Sequence, residues 1–242
     1  MNIEKPVVEA KFVKRPNRFQ GYVIIEGKEE MVHVPNTGRC KEILKEGTTV
    51  LLRKEDNPNR KTRYSLIGAY KGEKLINIDS QAPNKIVEEA LNKGVIEELQ
   101  QYNFIRREKT FGNSRFDFKL SRCHDKEIIV SPEEEYYLEV KGVTLEEDGE
   151  TRFPDAPTER GAKHLIELIE VKRSGRGAGV IFVIQMENVK YFRPNDEMDK
   201  KFGEALRLAV NNGVQVFAYS CKVTKNTITL HERIPVVLSD TY

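Results

Sequence analysis

Short apolar runs fill the first 80 residues of the chain, and Pro, Gly, Asn or Asp bounds each of them. Runs of this kind, rich in Val, Ile, Tyr and Phe and separated by turn residues, predict β-strands. So many short strands in so short a segment predict a small, closed, all-β domain. The predicted strands are Val7–Val13, Phe19–Ile25, Glu30–Val34, Thr48–Arg53, Tyr64–Tyr70 and Leu75–Ile78.

From Gln81 onward, stretches with helical spacing alternate with strand-like runs. Ile86, Ala90 and Leu91 recur on one helix face, and Gly94 is the expected break in that helix. The alternation predicts an α/β fold with a mixed sheet flanked by helices. The predicted helices are Ala82–Gln100, Thr158–Arg173 and Asp196–Asn212, and the predicted strands are Phe104–Thr110, Ser114–Leu120, Tyr136–Leu145, Gly179–Met186, Val214–Val223 and Thr227–Val236.

The change of pattern near residue 80 predicts two domains. We expect residues 1–81 to form a small all-β domain, for which an OB-like barrel is one candidate. Barrels of that type often bind oligonucleotides. We expect residues 82–242 to form the α/β domain.

The composition adds few limits. With 38% hydrophobic and 32% charged residues, the chain is an ordinary globular protein on the polar side. It has no apolar run near the roughly 20 residues of a spanning helix, and its first residues lack the apolar core of a signal peptide. We therefore expect a cytoplasmic protein with no membrane partner. Cys40, Cys123 and Cys221 are odd in number and widely spaced, which predicts reduced, packed thiols.

The net charge of +2 hides an asymmetry. Residues 1–80 carry 16 Lys and Arg against 11 Asp and Glu, a net charge of +5, and the remainder has a net charge of −3. Basic loops beside strands suit the phosphate backbone of nucleic acid, although a solvated loop explains either cluster alone equally well. The two basic clusters are Lys11, Lys14, Arg15 and Arg18, and Arg53, Lys54, Arg60, Lys61 and Arg63.

Charged side chains interrupt two predicted strands of the second domain. Asp117 lies in one strand, and Glu139 and Lys141 lie in the next. Because side chains alternate along a strand, Glu139 and Lys141 share one face, and Leu138 and Val140 share the other. A surface charge ladder would explain this pattern. The apolar flanks weigh against it, since charges near a core must be paired, hydrated or metal-bound.

Asp117 and Glu139 form a candidate site for Mg²⁺ or Mn²⁺. Mg²⁺ prefers oxygen ligands and is usually held by one or two carboxylates with water and substrate phosphate. Lys141 could orient the attacking water or neutralise phosphate charge. The leading hypothesis is therefore a metal-dependent nuclease.

These residues lie in long motifs that resemble those of the sugar fermentation stimulation protein A family. The motifs are His33–Gly38, Arg115–Phe118, Leu138–Leu145 and Phe153–Leu165, and the match covers essentially the whole chain. The resemblance implies an N-terminal OB-like domain and a C-terminal PD-(D/E)XK nuclease-like domain. It further implies DNA binding with cleavage of DNA or RNA, and a role in regulating sugar fermentation, maltose use in particular.

The resemblance also implies roles for single residues. Asp117 matches the motif aspartate, although Phe116 stands where the literal signature has proline. Glu139 and Lys141 match the E-x-K pair. Asp117 and Glu139 are thus the implied metal ligands, and all three residues are implied to be catalytic.

Nucleases of this class commonly add an acid from the first helix. Glu89 and Glu98 are both candidates here. Glu89 is slightly favoured because its early position on the helix can bring it to the metal-binding edge. A solvated helical acid is the competing interpretation of each.

Three basic residues follow at helical spacing. Arg160, Lys163 and His164 occupy positions i, i+3 and i+4, which form one helix face. A basic face beside a metal site can bind a scissile or neighbouring phosphate. His164 could equally be a histidine at the edge of the core.

The motif His33–Gly38 contains a strong turn signal, because Asn can bond its own backbone and Gly permits a positive φ. A turn alone would explain it. The alternative is that Asn36 and Thr37 donate to phosphate or sugar, with His33 nearby. The barrel residues that we expect to bind nucleic acid are therefore Arg15, Arg18, His33, Asn36, Thr37, Arg60, Lys61 and Arg63.

Two function classes remain open at this point. The first is a metal-dependent endonuclease with an OB-like clamping domain, and the second is a non-catalytic DNA-binding regulator on a nuclease-like scaffold. The presence of Asp117, Glu139 and Lys141 together favours the first. The choice between DNA and RNA, and between a monomer and a homodimer, stays open.

Overall fold

The computed structural model describes residues 1–122 and 131–239. Cys123, one of the three expected thiols, lies outside the described residues. Cys40 and Cys221 are buried and free, as expected for reduced, packed thiols. Across the described ranges, no helix has the length and apolarity needed to cross a membrane.

Six strands form the N-terminal barrel, in the sheet order β3-β2-β1-β4-β5-β6. Pairing of His33 on the third strand with Ser65 on the fifth closes the sheet on itself. Val23, Val32 and Leu52 point inward and are fully buried. All six predicted strands and the predicted small barrel are confirmed. The strands are β1 Val7–Asn17, β2 Gln20–Ile25, β3 Lys28–His33, β4 Thr49–Lys54, β5 Tyr64–Lys71 and β6 Lys74–Asn77.

The second half of the chain contains three helices and nine strands within the described ranges. The helices are α1 Ala82–Asn92, α2 Glu159–Arg173 and α3 Lys200–Asn211. The strands are β7 Phe104–Phe111, β8 Ser114–Ser121, β9 Glu135–Val143, β10 Leu145–Glu147, β11 Glu150–Phe153, β12 Gly177–Ile184, β13 Tyr191–Pro194, β14 Gln215–Val223 and β15 Ile228–Arg233. Short 3₁₀ turns occur at Glu97–Leu99 and Pro132–Glu134.

The main sheet has the order β15-β14-β12-β9-β8-β7. Strands β9, β12 and β14 run parallel, whereas β7, β8 and β15 pair antiparallel with their neighbours. Helix α1 packs on one face with Leu138 and Val140, and α2 and α3 pack on the other face. The predicted mixed sheet flanked by helices is therefore confirmed.

Three short strands were not predicted. β10, β11 and β13 form a separate small sheet beside the main one. They span three or four residues each and carry charged side chains, so they lack the apolar run that identifies a strand. The first helix ends at Asn92 because Gly94 adopts a positive φ of 65°.

Polar contacts fix the barrel to the second domain. The Asn77 amide donates to Gln185 Oε1, and the backbone N–H of Arg39 donates to Asp155 Oδ2 at 2.9 Å. Glu146 of β10 accepts from two lysines of the barrel, Lys71 on β5 and Lys74 on β6. The barrel is consequently joined to the rest of the chain at several points.

Candidate metal and nucleic-acid site

A gap opens between β8 and β9 at the candidate metal site. The pairing of these strands runs from Ser121 and Glu135 to Phe118 and Leu138, where it stops. Strand β9 continues beside β12, so its next residues lose only the partner on the β8 side. The N–H of Val140 donates to Asp117 Oδ2 at 2.8 Å instead of to a backbone carbonyl. Asp117 therefore takes the place of a strand partner where β8 turns away.

The turn of β8 occurs at Asp117 itself. Phe116 and Phe118 would share a face under strict alternation, yet Phe118 packs with the α1 side and Phe116 with the α2 side. On the neighbouring strand β7, Glu108 adopts a positive φ of 51°. It lies between the two β7 residues that pair with Phe116 and Phe118, on either side of Asp117. The irregularity places the Asp117 carboxylate at the mouth of the gap.

Helix α1 supports Asp117 through an amide. The side-chain N–H of Asn84, in the first turn of α1, donates to Asp117 Oδ1 at 2.7 Å. Both oxygens of the half-buried Asp117 therefore accept one hydrogen bond each, and each retains a free lone pair.

Glu139 is held unevenly. It is 3% exposed, and its Oε1 accepts from both Lys141 Nζ and His164 Nδ1 at 2.5 Å. Its Oε2 is buried and has no hydrogen-bond partner in the described structure. A buried carboxylate oxygen without a partner costs free energy, so its presence indicates a missing ligand or a functional role.

His164 lies behind Glu139 and not at the surface. The ring is 5% exposed and packs edge-on against Phe116. Arg160 Nε donates to His164 Nε2 at 3.4 Å, which leaves Nδ1 as the nitrogen that carries the proton toward Glu139. The three side chains form a chain of hydrogen bonds from the helix surface to the buried carboxylate.

The two carboxylates differ in their affinity for protons. Burial and the negative charge of Glu139 raise the pKa of Asp117 above its usual value. Burial would raise the pKa of Glu139 too, but the His164 hydrogen bond and the Lys141 charge outweigh it and lower that pKa. A cation between the two groups would relieve the repulsion that raises the pKa of Asp117.

The residues present fit a hard divalent cation. The described part of the chain has no group of three or more His, Cys, Asp or Glu side chains placed to hold a metal. Mg²⁺ does not require such a group, because it keeps several waters and uses one or two carboxylates plus substrate phosphate. Asp117 and the free Oε2 of Glu139 meet that requirement.

Neither acid expected from the first helix lies at this site. The carboxylate of Glu89 pairs with the N-terminal ammonium group and with Lys93. Glu98 pairs with Arg233 beyond the end of α1. The first helix contributes Asn84 in their place.

The two other basic residues predicted to bind phosphate from α2, Arg160 and Lys163, are exposed. Lys163 lies 3.8 Å from Glu167 on the helix surface, and Arg160 reaches back to His164. Both lie on the exposed side of α2, within about one helical turn of His164, which bonds Glu139. They are therefore available to a phosphate, whereas the buried His164 is not.

Several barrel residues expected to contact nucleic acid build the His33–Gly38 turn instead. Arg15 donates to four backbone carbonyls, among them those of Gly38 and Asn36. Asn36 accepts from the Gly38 N–H and donates to the carbonyl of Ile78. The turn interpretation of this motif is consistent with these bonds.

The other predicted barrel residues lie in two places. His33 Nδ1 is 3.1 Å from the Phe19 carbonyl oxygen. Arg60 bonds Ser65 and lies 3.5 Å from Glu55, and Arg63 stacks over the Tyr64 ring. Arg18 and Thr37 line a cleft of about 870 Å³ between the barrel and the loop that precedes α2, and exposed Lys61 lies on the loop with Arg60.

The sequence reasoning missed Asn84 and the bond between His164 and Glu139. The signal for Asn84 was weak, because a polar residue in a first helical turn usually serves the helix itself. The spacing of Arg160 and His164 gave the correct helix face, but it could not show which strand that face covers.

The comparisons with known proteins cover nearly the whole chain. The family model described as "Sugar fermentation stimulation protein RE domain" matches residues 81–227, and the "SfsA N-terminal OB domain" matches residues 13–78. The expected OB-like domain is thereby confirmed.

Relatives and one solved structure agree with this match. The sugar fermentation stimulation protein homologs of Clostridium perfringens strain 13 and Clostridium tetani are 63% and 62% identical over 98% of this chain and 100% of theirs. The structure of Pyrococcus furiosus SfsA in complex with Ca²⁺ is 29% identical, with a TM-score of 0.84 over 98% of this chain and 99% of that one. The chain therefore belongs to the sugar fermentation stimulation protein family.

Proposed function

We propose that this protein is a metal-dependent nuclease that hydrolyses phosphodiester bonds of DNA or RNA, with a second domain of the PD-(D/E)XK nuclease-like class. The observation that carries the proposal is the buried, unpartnered Oε2 of Glu139 beside Asp117. Lys141 lies two residues along the same strand face. Two carboxylates can hold a divalent cation, and a lysine beside them can act on the phosphodiester that the cation binds.

The cation is Mg²⁺ or Mn²⁺ in this proposal. The Pyrococcus furiosus relative forms a complex with Ca²⁺, which is also a hard cation with oxygen ligands. Asp117 and Glu139 Oε2 would hold the metal here. Their hydrogen bonds leave lone pairs free for it.

The bound cation would lower the pKa of a water molecule and stabilise charge on the reacting phosphate. Lys141 Nζ, which donates to Glu139 Oε1, would orient that water or neutralise phosphate charge. His164 keeps Glu139 Oε1 occupied, so that Oε2 alone remains without a hydrogen-bond donor. Arg160 and Lys163, exposed on the same helix, stabilise negative charge as it develops on the phosphate.

Nucleic acid would reach this site through the cleft between the domains. Basic residues of the barrel line it, and so does Thr158, the residue before α2. Helix α2 starts there and carries Arg160, which donates to His164, the partner of Glu139. Phosphate contacts along such a path would make binding sensitive to salt.

The test is cleavage of labelled DNA and RNA with Mg²⁺, Mn²⁺ or EDTA. The proteins are the parent, Glu139→Gln, Lys141→Met and, as matched control, Glu147→Gln, which changes an exposed acid on β10. We expect cutting by the parent and the control with metal, and a loss of at least 100-fold in the two site variants. Equal cutting by Glu139→Gln would refute the proposed site.

A second candidate is the non-catalytic DNA-binding regulator. It is favoured by the ion pair of Lys141 with Glu139, which satisfies both groups in part without a cation. Salt-sensitive binding without cutting under any metal would select it. A role in sugar fermentation, as the family description states, is compatible with either candidate.

A further inference from the structure

The cleft between the two domains has a volume of about 870 Å³. Its walls come from β1, from the segment that follows the His33–Gly38 turn, and from the loop Phe153–Thr158. It therefore joins the basic part of the barrel to the start of the helix that carries Arg160 and His164.

The walls of the cleft are held in place. On one side, Arg15 binds four carbonyls of the barrel, two of them from Gly38 and Arg39. Across the cleft, Asp155 accepts from the Arg39 N–H and fits tightly against Gly38, where an added Cβ would lie 2.3 Å from its Oδ2. The two walls are therefore in direct contact at Gly38 and Arg39.

The chemistry of the lining suits a strand of nucleic acid. Arg18, Arg39 and Lys41 line it together with Lys14 and Arg15, so that basic side chains outnumber the two acidic ones, Glu46 and Asp155. The lining also includes apolar side chains of the loop before α2, such as Pro154 and Pro157. Polar and apolar contacts are thus offered together, as phosphates and bases require.

An exposed aromatic residue is the sequence neighbour of a residue in the cleft lining. Phe19 is 53% exposed and directly follows Arg18, a residue of the cleft lining. Exposed rings next to a cationic groove are typical stacking platforms for unpaired bases. Bases in a duplex are already stacked and would leave this ring unused.

The size of the cleft favours one strand over two. A cube of its volume would have an edge of about 10 Å, whereas the major groove alone of B-form DNA is roughly 12 Å wide. A duplex is wider than its major groove and therefore exceeds a cleft of this size. An extended single strand can enter with its phosphates on the basic residues.

We propose that this cleft binds a single strand of nucleic acid and directs it toward the Asp117–Glu139 site. The choice of nucleic acid as ligand rests on the proposed function. The preference for a single strand rests on the cleft's volume, walls and exposed ring.

The test is equilibrium binding of a fluorescent oligonucleotide, single-stranded or annealed to its complement, in EDTA so that no cutting occurs. We expect the single strand to bind at least 10-fold more tightly than the duplex. The variant Arg18→Gln/Lys41→Gln should weaken single-strand binding about 10-fold. It should also reduce the slope of log K against log salt concentration by about 1.4, because each phosphate contact on a single strand contributes about 0.7 to that slope.

The matched control is Lys28→Gln/Lys222→Gln, which removes two exposed lysines outside the cleft, one at the start of β3 and one on β14. It should bind as the parent does. Equal or tighter duplex binding, or equal effects of both double variants, would overturn the proposal. Cleft-dependent binding by a protein that never cuts would support the cleft assignment and refute the nuclease instead.

Discussion

Glu139 is the residue whose environment is hardest to explain without a ligand. One oxygen of its carboxylate receives two donors, and the other is buried with none in the described structure. A protein stabilised by its own contacts alone would lose little by placing a neutral residue there. The uneven bonding therefore points to a partner that binds Oε2.

His164 is expected to position Glu139 for that partner. His164→Leu fills the ring's volume but removes the donor to Glu139 Oε1, and the loss of a side chain that orients a metal ligand typically costs 10- to 100-fold in metal affinity. We expect Mn²⁺ to bind at least 10-fold more weakly by calorimetry. His164→Asn should recover most of the affinity, because its amide N–H can replace the Nδ1 donor. Equal weakening in both variants would contradict a positioning role.

Much of the site was predictable at the level of single residues. Alternation along β9 correctly separates Glu139 and Lys141 from Leu138. Alternation fails at Asp117, because the positive φ of Glu108 on the next strand and the turn of β8 cannot be derived from side-chain types. The role of Arg15 was equally hidden, since a guanidinium bound to carbonyls and one bound to phosphate look alike in sequence.

Helix α2 connects the cleft to the metal site. It begins where Thr158 Oγ1 accepts from the Gly161 N–H at 3.0 Å, and it carries Arg160 and His164 in its first two turns. Its N-terminus therefore determines where those side chains lie. The predicted helix Thr158–Arg173 is confirmed, because the N-cap residue and the buried stripe are local signals.

Removing the N-cap of α2 tests this dependence. Thr158→Ala should lower the free energy of unfolding by about 1 kcal/mol, since a lost cap typically costs 0.5–2 kcal/mol. In a chain of this length, that corresponds to a decrease in Tm of roughly 2–4 °C. Thr158→Ser keeps the hydroxyl and should unfold close to the parent's temperature. A Tm unchanged in Thr158→Ala would show that the cap does not stabilise the helix.

The molecule as a whole depends on the contact between its two halves. Glu146 of β10 binds Lys71 and Lys74 of the barrel. Burial would raise the pKa of Glu146, but the hydrogen bonds from the two lysines outweigh it and lower that pKa to about 2. The sequence could not show this contact, because it joins strands 75 residues apart along the chain.

The contact should give stability a defined pH dependence. The folded-state pKa of Glu146 is below its unfolded value, so its contribution is complete above pH 4.5 and disappears as the pH falls toward 2. We expect Glu146→Gln to cost about 2 kcal/mol at pH 7 in urea unfolding, since a lowered pKa is a stability difference of this order. The difference from the parent should shrink below pH 4.5.

The exposed neighbour Glu147 supplies the control for that series. Glu147→Gln should unfold as the parent does across the same pH range. A difference between parent and Glu146→Gln that stays constant from pH 7 to pH 2.5 would assign the loss to packing and not to the ion pairs.

The decisive experiment is the crystal structure of the protein with Mn²⁺, located by its anomalous scattering. We expect a single strong peak in the gap between β8 and β9, bonded to Glu139 Oε2 and to Asp117, and absent from Glu139→Gln. A protein saturated with Mn²⁺ whose peak lies elsewhere, or which shows no peak in this gap, would contradict the assignment of Asp117 and Glu139 as the metal site of a nuclease.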